Sequence, residues 1–148
     1  MKKFANSFRE KMPKAVHGSG KRKKAIARAT ISEGSGNLRI DGIPLENIEP
    51  KAKRMKIQEC LMIASSHVDL KKLDIAVTVQ GGGFMGQADA IANSLAKSLV
   101  EFSENESLLK DYLSHDRTLI AGDHRLTETH KPSQSSKGPR HRRQKSYR

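Results

Sequence analysis

The chain has a single cysteine and no tryptophan, and aromatic residues make up only 4% of its 148 positions. One thiol, Cys60, cannot form an intrachain disulfide, which fits a reducing cytoplasm. Hydrophobic residues reach 35%, so we expect one domain with a modest core. No apolar run approaches the roughly 18 residues of a membrane span, and the N-terminus lacks the apolar centre of a secretory signal.

Groupings typical of catalytic or metal sites are also missing. The histidines are His17, His67, His115, His124, His130 and His141. None forms an i, i+4 pair and no second cysteine could join them, so we predict no metal site. Serine, histidine and aspartate occur without a nucleophile elbow. Gly20-Lys21 fails as a phosphate loop, because Ala15 and Arg22 stand where that motif needs glycine and serine or threonine. We therefore predict neither an enzyme nor a cofactor.

Positive charge is what the chain has in excess, and it is concentrated at the two ends. The net charge is +12 and the pI is near 10. Residues 1–24 hold nine Lys or Arg and one acid, and residues 129–148 hold seven and none. Residues 25–128 hold twelve against fifteen Asp or Glu. A slightly acidic domain with two basic arms favours folded nucleic acid as the partner over a membrane surface.

The last twelve residues, KGPRHRRQKSYR, contain no acid and one aromatic residue, Tyr147. Such a segment cannot bury enough apolar surface to fold alone, and fully extended it reaches roughly 40 Å at about 3.3 Å per residue. We interpret it as a probe that enters a phosphate-lined space, the alternative being a solvated basic tail. The cations that would line that path are Lys137, Arg140, Arg142, Arg143, Lys145 and Arg148.

The N-terminal arm permits two interpretations. Phe4, Phe8 and Met12 follow i, i+4, i+8 among basic residues, which is typical of a short arm helix and also of a mitochondrial transit peptide. We favour the arm. The expected organisation is a basic arm at 1–20, a globular RNA-binding domain at 21–121 and an extended basic tail at 122–148.

Periodicity within the domain predicts an α+β fold of two layers. Alternation and turn residues predict strands at 25–32 and 38–41 and an edge piece at 43–45, together a hairpin or three-stranded meander. A helix follows at 51–65, then the clearest strand at 73–80 and helices at 86–102 and 104–114. Residues 117–121 are expected to be extended. Because helices and strands do not alternate regularly, the pattern favours a sheet with segregated helices.

Two further places could meet an anion. Lys51, Lys53, Arg54 and Lys56 crowd the start of the 51–65 helix, where cations oppose the helix macrodipole. They indicate either an outside anion or a solvated face.

Residues 81–86, GGGFMG, satisfy the dinucleotide pattern G-x-G-x-x-G. That fingerprint also needs a strand and an acid after its helix, whereas here a second helix is predicted. Gly81, Gly82 and Gly83 could instead permit close packing or bring backbone N–H groups to an RNA phosphate.

The basic run 20–25 (GKRKKA), the segment 36–44 (GNLRIDGIP), the stretch 81–91 (GGGFMGQADAI) and the ending 144–148 (QKSYR) occur in this order. Together they resemble the universal small-subunit ribosomal protein nine family in its archaeal and eukaryotic form. The resemblance covers nearly everything from Val16 onward. Three stretches depart from it: residues 1–15 extend beyond it, 131–136 replace a segment that is often basic, and Ala92-Asn93 stand where bacterial members often carry a base.

The resemblance implies a fold like the second domain of ribosomal protein five, with a left-handed β-α-β crossover. It implies that the domain binds small-subunit ribosomal RNA in the head, beside neighbouring head proteins and without homo-oligomers. It also implies that the tail tip, Lys145, Ser146, Tyr147 and Arg148, approaches transfer RNA in the peptidyl site. The ribosomal RNA contacts expected on the domain are Lys21, Arg22, Lys23, Lys24, Arg28, Lys51, Lys53, Arg54, Gly81, Gly82 and Gly83.

Two other classes stay open on sequence alone. A free RNA-binding or chaperone-like protein would bind RNA without staying in particles. A nucleotide-dependent enzyme would use residues 81–86 and bind ATP or NAD stoichiometrically.

Overall fold

A computed structural model describes residues 15–130 and 138–139. One five-stranded sheet carries helices on a single face, which confirms the mixed α+β class. The strands are β1 Ala15–Arg22, β2 Ala25–Glu33, β3 Leu38–Ile40, β4 Ile43–Pro44 and β5 Leu73–Gln80. The helices are α1 Lys51–Ser65, α2 Phe84–Ser103, α3 Glu106–His115 and α4 Thr118–Ala121, with 3-10 turns at Leu45–Asn47 and Leu70–Lys72.

The sheet has the order β1-β2-β5-β3-β4, so the predicted pairing of the 25–32 strand with 38–41 is wrong, whereas β3 and the edge strand β4 do pair antiparallel. The strand at 25–33 pairs with β1 and β5, and β3 lies on the far side of β5. Asp74 explains the separation: its Oδ1 accepts the backbone N–H groups of Ser35 and Asn37, each at 3.0 Å. These bonds hold the 33–37 turn across the start of β5. The parallel pair β3–β5 is then joined through α1, because parallel neighbours need a crossover.

Strand β1 was missed, because it begins at Ala15 inside the segment predicted as an arm ending at residue 20. Its inward positions are Val16, Gly18 and Gly20, and two glycines give no apolar alternation. The glycines are required by packing against α2. A Cβ at Gly18 would lie 2.6 Å from the carbonyl oxygen of Ser94, and one at Gly20 would overlap that of Ala90. Helix α2 therefore lies directly on the backbone of β1.

Helix α2 is the centre of the core. It packs on β1 and β2 on one side and contacts α1 and α4. Four of the five predicted core positions (Ala88, Ile91, Leu95 and Leu99) have no exposed surface, and Phe102 is half-buried. The remaining core is drawn from β2, β3, β5, α1, α3 and α4, together with Ile48.

The prediction that residues 117–121 are extended is wrong, because residues 118–121 form the short helix α4. Asp116 starts that helix: one carboxylate oxygen accepts the Thr118 N–H at 2.8 Å and the other accepts its hydroxyl at 2.7 Å. Leu119 is then buried against the core. A single turn of this length is too short to show helical periodicity.

Candidate nucleic-acid interface

The basic turn 21–24 and the glycine loop 81–83 lie together at one end of the sheet. Residues 23 and 24 connect β1 to β2, and Lys23 has a left-handed φ of 54°. Gly81 and Gly82 have φ of 73° and 72°. A Cβ on Gly81 would lie 2.7 Å from the carbonyl oxygen of Lys24, and one on Gly82 would lie 2.8 Å from the Ala25 Cβ. Close packing against the turn therefore accounts for two of the three glycines.

Three of the four cations in the turn point away from the domain. Lys21, Lys23 and Lys24 are exposed, and within residues 15–130 none forms an ion pair with a carboxylate. Their charge is available to a partner outside the chain.

Arg22 is different, since only 16% of its side chain is exposed. Its Nε lies 3.5 Å from Asp89 and its Nη1 lies 2.6 Å from Asp123. The contact with Asp123 is ionic, not a well-aligned hydrogen bond. Arg22 is thus directed into the domain, although the sequence grouped it with the RNA-binding residues.

Most cations at the start of α1 have intramolecular partners. Lys53 Nζ donates to Gln87 Oε1 at 2.9 Å, and Arg54 Nη1 donates to the Glu46 carbonyl at 2.7 Å. Gln87 Nε2 also donates to the Gly81 carbonyl at 3.2 Å. These bonds tie the first turns of α1 and α2 to the glycine loop. Lys51 is exposed and has no such bond among the residues described.

The dinucleotide interpretation fails on topology. Helix α2 follows the glycine loop, but the chain then continues into α3 and α4, and no strand follows α2 before residue 131. The second strand and ribose-binding acid of that fingerprint are absent from this stretch. Residues 81–83 instead connect β5 to helix α2, which begins with the exposed Phe84 and Met85.

The root of the tail is fixed by residues that the sequence did not single out. The buried Asn93 donates its Nδ2 hydrogens to the carbonyl oxygens of Thr118 and Leu119, at 3.0 and 2.9 Å. Asp123 accepts from Arg125 Nη2 at 2.6 Å and also faces Arg22. Hydrogen bonds from Arg125, with the charge of Arg22, hold the pKa of the Asp123 carboxyl well below its usual value. Because Asn93 faces inward, it is not a surface counterpart of the bacterial base.

No sequence signal marked these contacts, because partners such as Arg22 and Asp123 are a hundred positions apart. The predicted tail residues Lys137, Arg140, Arg142, Arg143, Lys145, Ser146, Tyr147 and Arg148 lie outside the described residues.

Several alternative kinds of site gain no support from this geometry. The hollow beside the tail root, about 240 Å³ in volume, is lined by both cations and carboxylates, including Arg22, Asp89 and Asp123. Between residues 15 and 130 no group of His, Cys, Asp or Glu could hold a metal ion. Burial raises the pKa of the Cys60 thiol to about 11, which leaves it unreactive. None of the helices in the described ranges is long and apolar enough to cross a bilayer.

Comparison with known proteins gives a consistent result. A family model described as ribosomal protein S9/S16 matches residues 20–148. "Small ribosomal subunit protein uS9" of Methanococcus maripaludis strain C7 is 51% identical over 135 residues, which is 91% of this chain and 99% of the relative. The proteins of the same name from Methanococcus vannielii and Methanothrix thermoacetophila are 52% and 44% identical, with the same coverage.

Proposed function

The chain belongs to the ribosomal protein S9 family, and from that premise we propose that it binds small-subunit ribosomal RNA in the head and extends its tail to peptidyl-site transfer RNA. The family consists of structural proteins of the ribosome, so the chain is not an enzyme. Its place would be the small ribosomal subunit in the cytoplasm, among neighbouring head proteins and as a single copy.

The observation that carries the RNA-binding proposal is the outward basic turn. Lys21, Lys23 and Lys24 are exposed at one end of the sheet and unpaired within residues 15–130. Lys51 and the glycine loop would extend this surface, and Arg28 in the middle of β2 would be a separate contact with ribosomal RNA. Lysines that neutralise phosphates release counterions, so RNA binding should weaken steeply with salt. Arg22, Lys53 and Arg54 would act mainly by holding the surface in shape, since each already has an intramolecular partner.

The tail would act through charge at a distance from the domain. Ordering it costs about 1–2 kcal/mol per residue in backbone entropy, so many charge-assisted contacts of about 1.5–3 kcal/mol each must offset that cost. Arg140, Arg142 and Arg143 would supply these along ribosomal RNA. At the tip, Lys145, Ser146, Tyr147 and Arg148 would contact the transfer RNA backbone without reading its sequence.

We also infer that the parallel β3–α1–β5 unit is the left-handed crossover of the ribosomal protein five domain. The parallel pairing and the intervening helix are consistent with it. An experimental structure would test this, because the usual right-handed crossover would place α1 on the opposite face of the sheet.

The experiment that tests the function is sedimentation of the tagged chain in a sucrose gradient at high salt. We expect one copy per particle, confined to small subunits and full ribosomes. Recovery at the top of the gradient would contradict the proposal and favour a free RNA-binding protein. Stoichiometric binding of ATP or NAD to the purified chain would instead favour the nucleotide-dependent class.

A further inference from the structure

The face of the sheet opposite the helices is open and polar. Along β1, β2 and β5, outward side chains alternate with inward ones that pack into the core. The outward positions include His17, Lys21, Arg28 and Thr78, all of which are exposed. Arg39 of β3 adds to the same face, because it lies in register with Ala76 of β5. In the residues described, no helix packs over this surface.

The strand register arranges three cations on a diagonal across the sheet. Lys21 lies opposite Ile26, so Arg28 is one strand across and two residues along from it. Arg28 lies opposite Thr78 of β5, and Arg39 of β3 lies opposite Ala76, two residues from Thr78. Arg39 is therefore two strands across and two residues along from Arg28. With strands about 4.8 Å apart and a rise of about 3.3 Å per residue, the successive Cα separations are about 8 and 12 Å. The cations therefore form a track of about 20 Å.

Carboxylates near this track are already engaged with the backbone. Asp74, at one corner, accepts the N–H groups of Ser35 and Asn37. Asp41, at the end of β3, accepts the Val79 N–H at 2.9 Å. Neither forms an ion pair with the cations of the track, and within the described part of the chain Arg28 and Arg39 have no carboxylate partner. Their charge is therefore uncompensated.

The remaining outward side chains decide which partner fits. Among the described residues the face has no Phe, Tyr or Trp, and its one ring, the imidazole of His17, is bonded to the Thr30 hydroxyl at 3.1 Å, whereas sheets that bind single-stranded RNA by stacking present several aromatic rings to the bases. In the described strands the one large apolar side chain on this face is Ile26, 42% exposed, which is too little for the apolar centre of a protein interface. Hydroxyl groups, such as those of Ser19 and Thr78, lie between the cations instead. Small hydroxyls and separated cations are suited to phosphate and sugar oxygens.

We propose that this open sheet face, marked by Lys21, Arg28 and Arg39, binds the sugar–phosphate backbone of ribosomal RNA without reading bases. The inference rests on the proposed function and adds a second RNA surface, which meets the basic turn at Lys21 and is distinct from the glycine loop and the tail. The domain would then be held on two sides, by the basic turn at its end and by the sheet face.

The test compares two doubly neutralised full-length chains. Arg28→Gln with Arg39→Gln removes two charges from the sheet face. Lys110→Gln with Arg117→Gln removes two exposed charges from the helical side and is the matched control. Binding to purified small-subunit ribosomal RNA is measured by filter retention across a salt series, after circular dichroism shows that both chains fold.

We expect the sheet variant to bind at least about tenfold more weakly and its log–log salt dependence to fall by about 1.5–2 units, one phosphate contact per lost cation. The control should retain the wild-type slope. Equal losses in both variants would mean unspecific attraction and would overturn the inference. A sheet variant that binds RNA normally but fails to enter subunits would assign the face to a protein partner. Failure of the wild-type chain to bind this RNA would instead refute the proposed function.

Discussion

Arg22 at the end of β1 and Asp123 at the root of the tail form an ion pair with 2.6 Å between Nη1 and Oδ2. Only 16% and 10% of the two side chains are exposed. The pair joins the basic turn to the point where the chain leaves α4. It fixes the first residues of the tail relative to the surface proposed to bind RNA.

Asp123→Asn should weaken this attachment. Removing one partner leaves the Arg22 charge partly buried with only Asp89 nearby, so we expect the free energy of unfolding to fall clearly and by more than in the control below. Urea denaturation measures the loss, and hydrogen exchange should be faster after residue 122. Asp69→Asn is the control, because it breaks the exposed pair with Lys72, which water and salt screen, and should cost much less than Asp123→Asn. Equal losses of unfolding free energy in both variants would show that the Arg22–Asp123 pair stabilises the fold no more than an exposed surface pair does.

Glycine-to-alanine substitutions should have opposite effects at two positions. At Gly20 the new methyl group would overlap the Ala90 carbonyl of α2, so the helix must move and we expect a loss of about 2 kcal/mol or more. At Gly86 the nearest atom is 3.7 Å away and the residue is helical, so alanine should be neutral or stabilising by up to about 1 kcal/mol. Thermal unfolding of the two variants would distinguish them. A tolerated Gly20→Ala would show that α2 does not require the bare backbone of β1.

The elements with strong hydrophobic periodicity could be predicted from the sequence, whereas those formed by close packing of small residues could not. The stripe at Ile91, Leu95 and Leu99 located α2, and the alternation in 73–80 located β5 with its observed bounds. Strand β1 could not be predicted from hydrophobic alternation. Its inward positions Gly18 and Gly20 are glycines because α2 leaves no room for a side chain, and glycine does not stand out as a core residue.

The sheet order and the candidate site depended on partners far apart in sequence. Asp74 holds the 33–37 turn, and this contact places β5 between β2 and β3. Composition identified the basic turn, but could not distinguish the outward Lys23 from the inward Arg22. That distinction depends on Asp89 and Asp123, and no local pattern connects either residue to position 22.

Lowering the pH should destabilise the contact between α1 and α3, because it protonates Glu59 of α1, which bonds His115 of α3. Its Oε1 lies 2.7 Å from His115 Nε2, and this hydrogen bond, with the nearby Lys56, holds the pKa of the Glu59 carboxyl below its usual value of 4.5. Because the folded pKa is the lower one, the stabilisation is complete above the unfolded value and is lost as the pH falls through the folded one.

The Glu59 carboxylate is partly exposed, so the pair should contribute no more than about 1 kcal/mol. Glu59→Gln should reduce the loss of unfolding free energy between about pH 6 and pH 3 by that amount. Urea denaturation at several pH values measures it. Glu101→Gln, an exposed change on α2, should leave the pH profile as in the wild type. A Glu59→Gln profile that matches the wild type would contradict the role of this pair.

Deleting residues 145–148 should leave assembly intact and loosen transfer RNA in the peptidyl site. The deleted residues include two of the seven cations after residue 128, so the domain and the rest of the tail keep most of their charge for ribosomal RNA. The tip is the part that would reach the transfer RNA, and each lost charge-assisted contact should cost about 1.5–3 kcal/mol. We therefore expect peptidyl-site transfer RNA to dissociate at least about tenfold faster from subunits that contain the truncated chain.

Two full-length variants separate charge from reach in this experiment. Lys145→Gln with Arg148→Gln keeps the length of the tail and should reproduce most of the faster dissociation, if charge at the tip is what holds the transfer RNA. Lys2→Gln with Lys3→Gln removes the same charge from the other arm and should leave dissociation unchanged. An unaltered rate in the truncated chain would refute the tail proposal. An effect of truncation without one of neutralisation would mean that the tip acts through Ser146 and Tyr147, by contact rather than by charge.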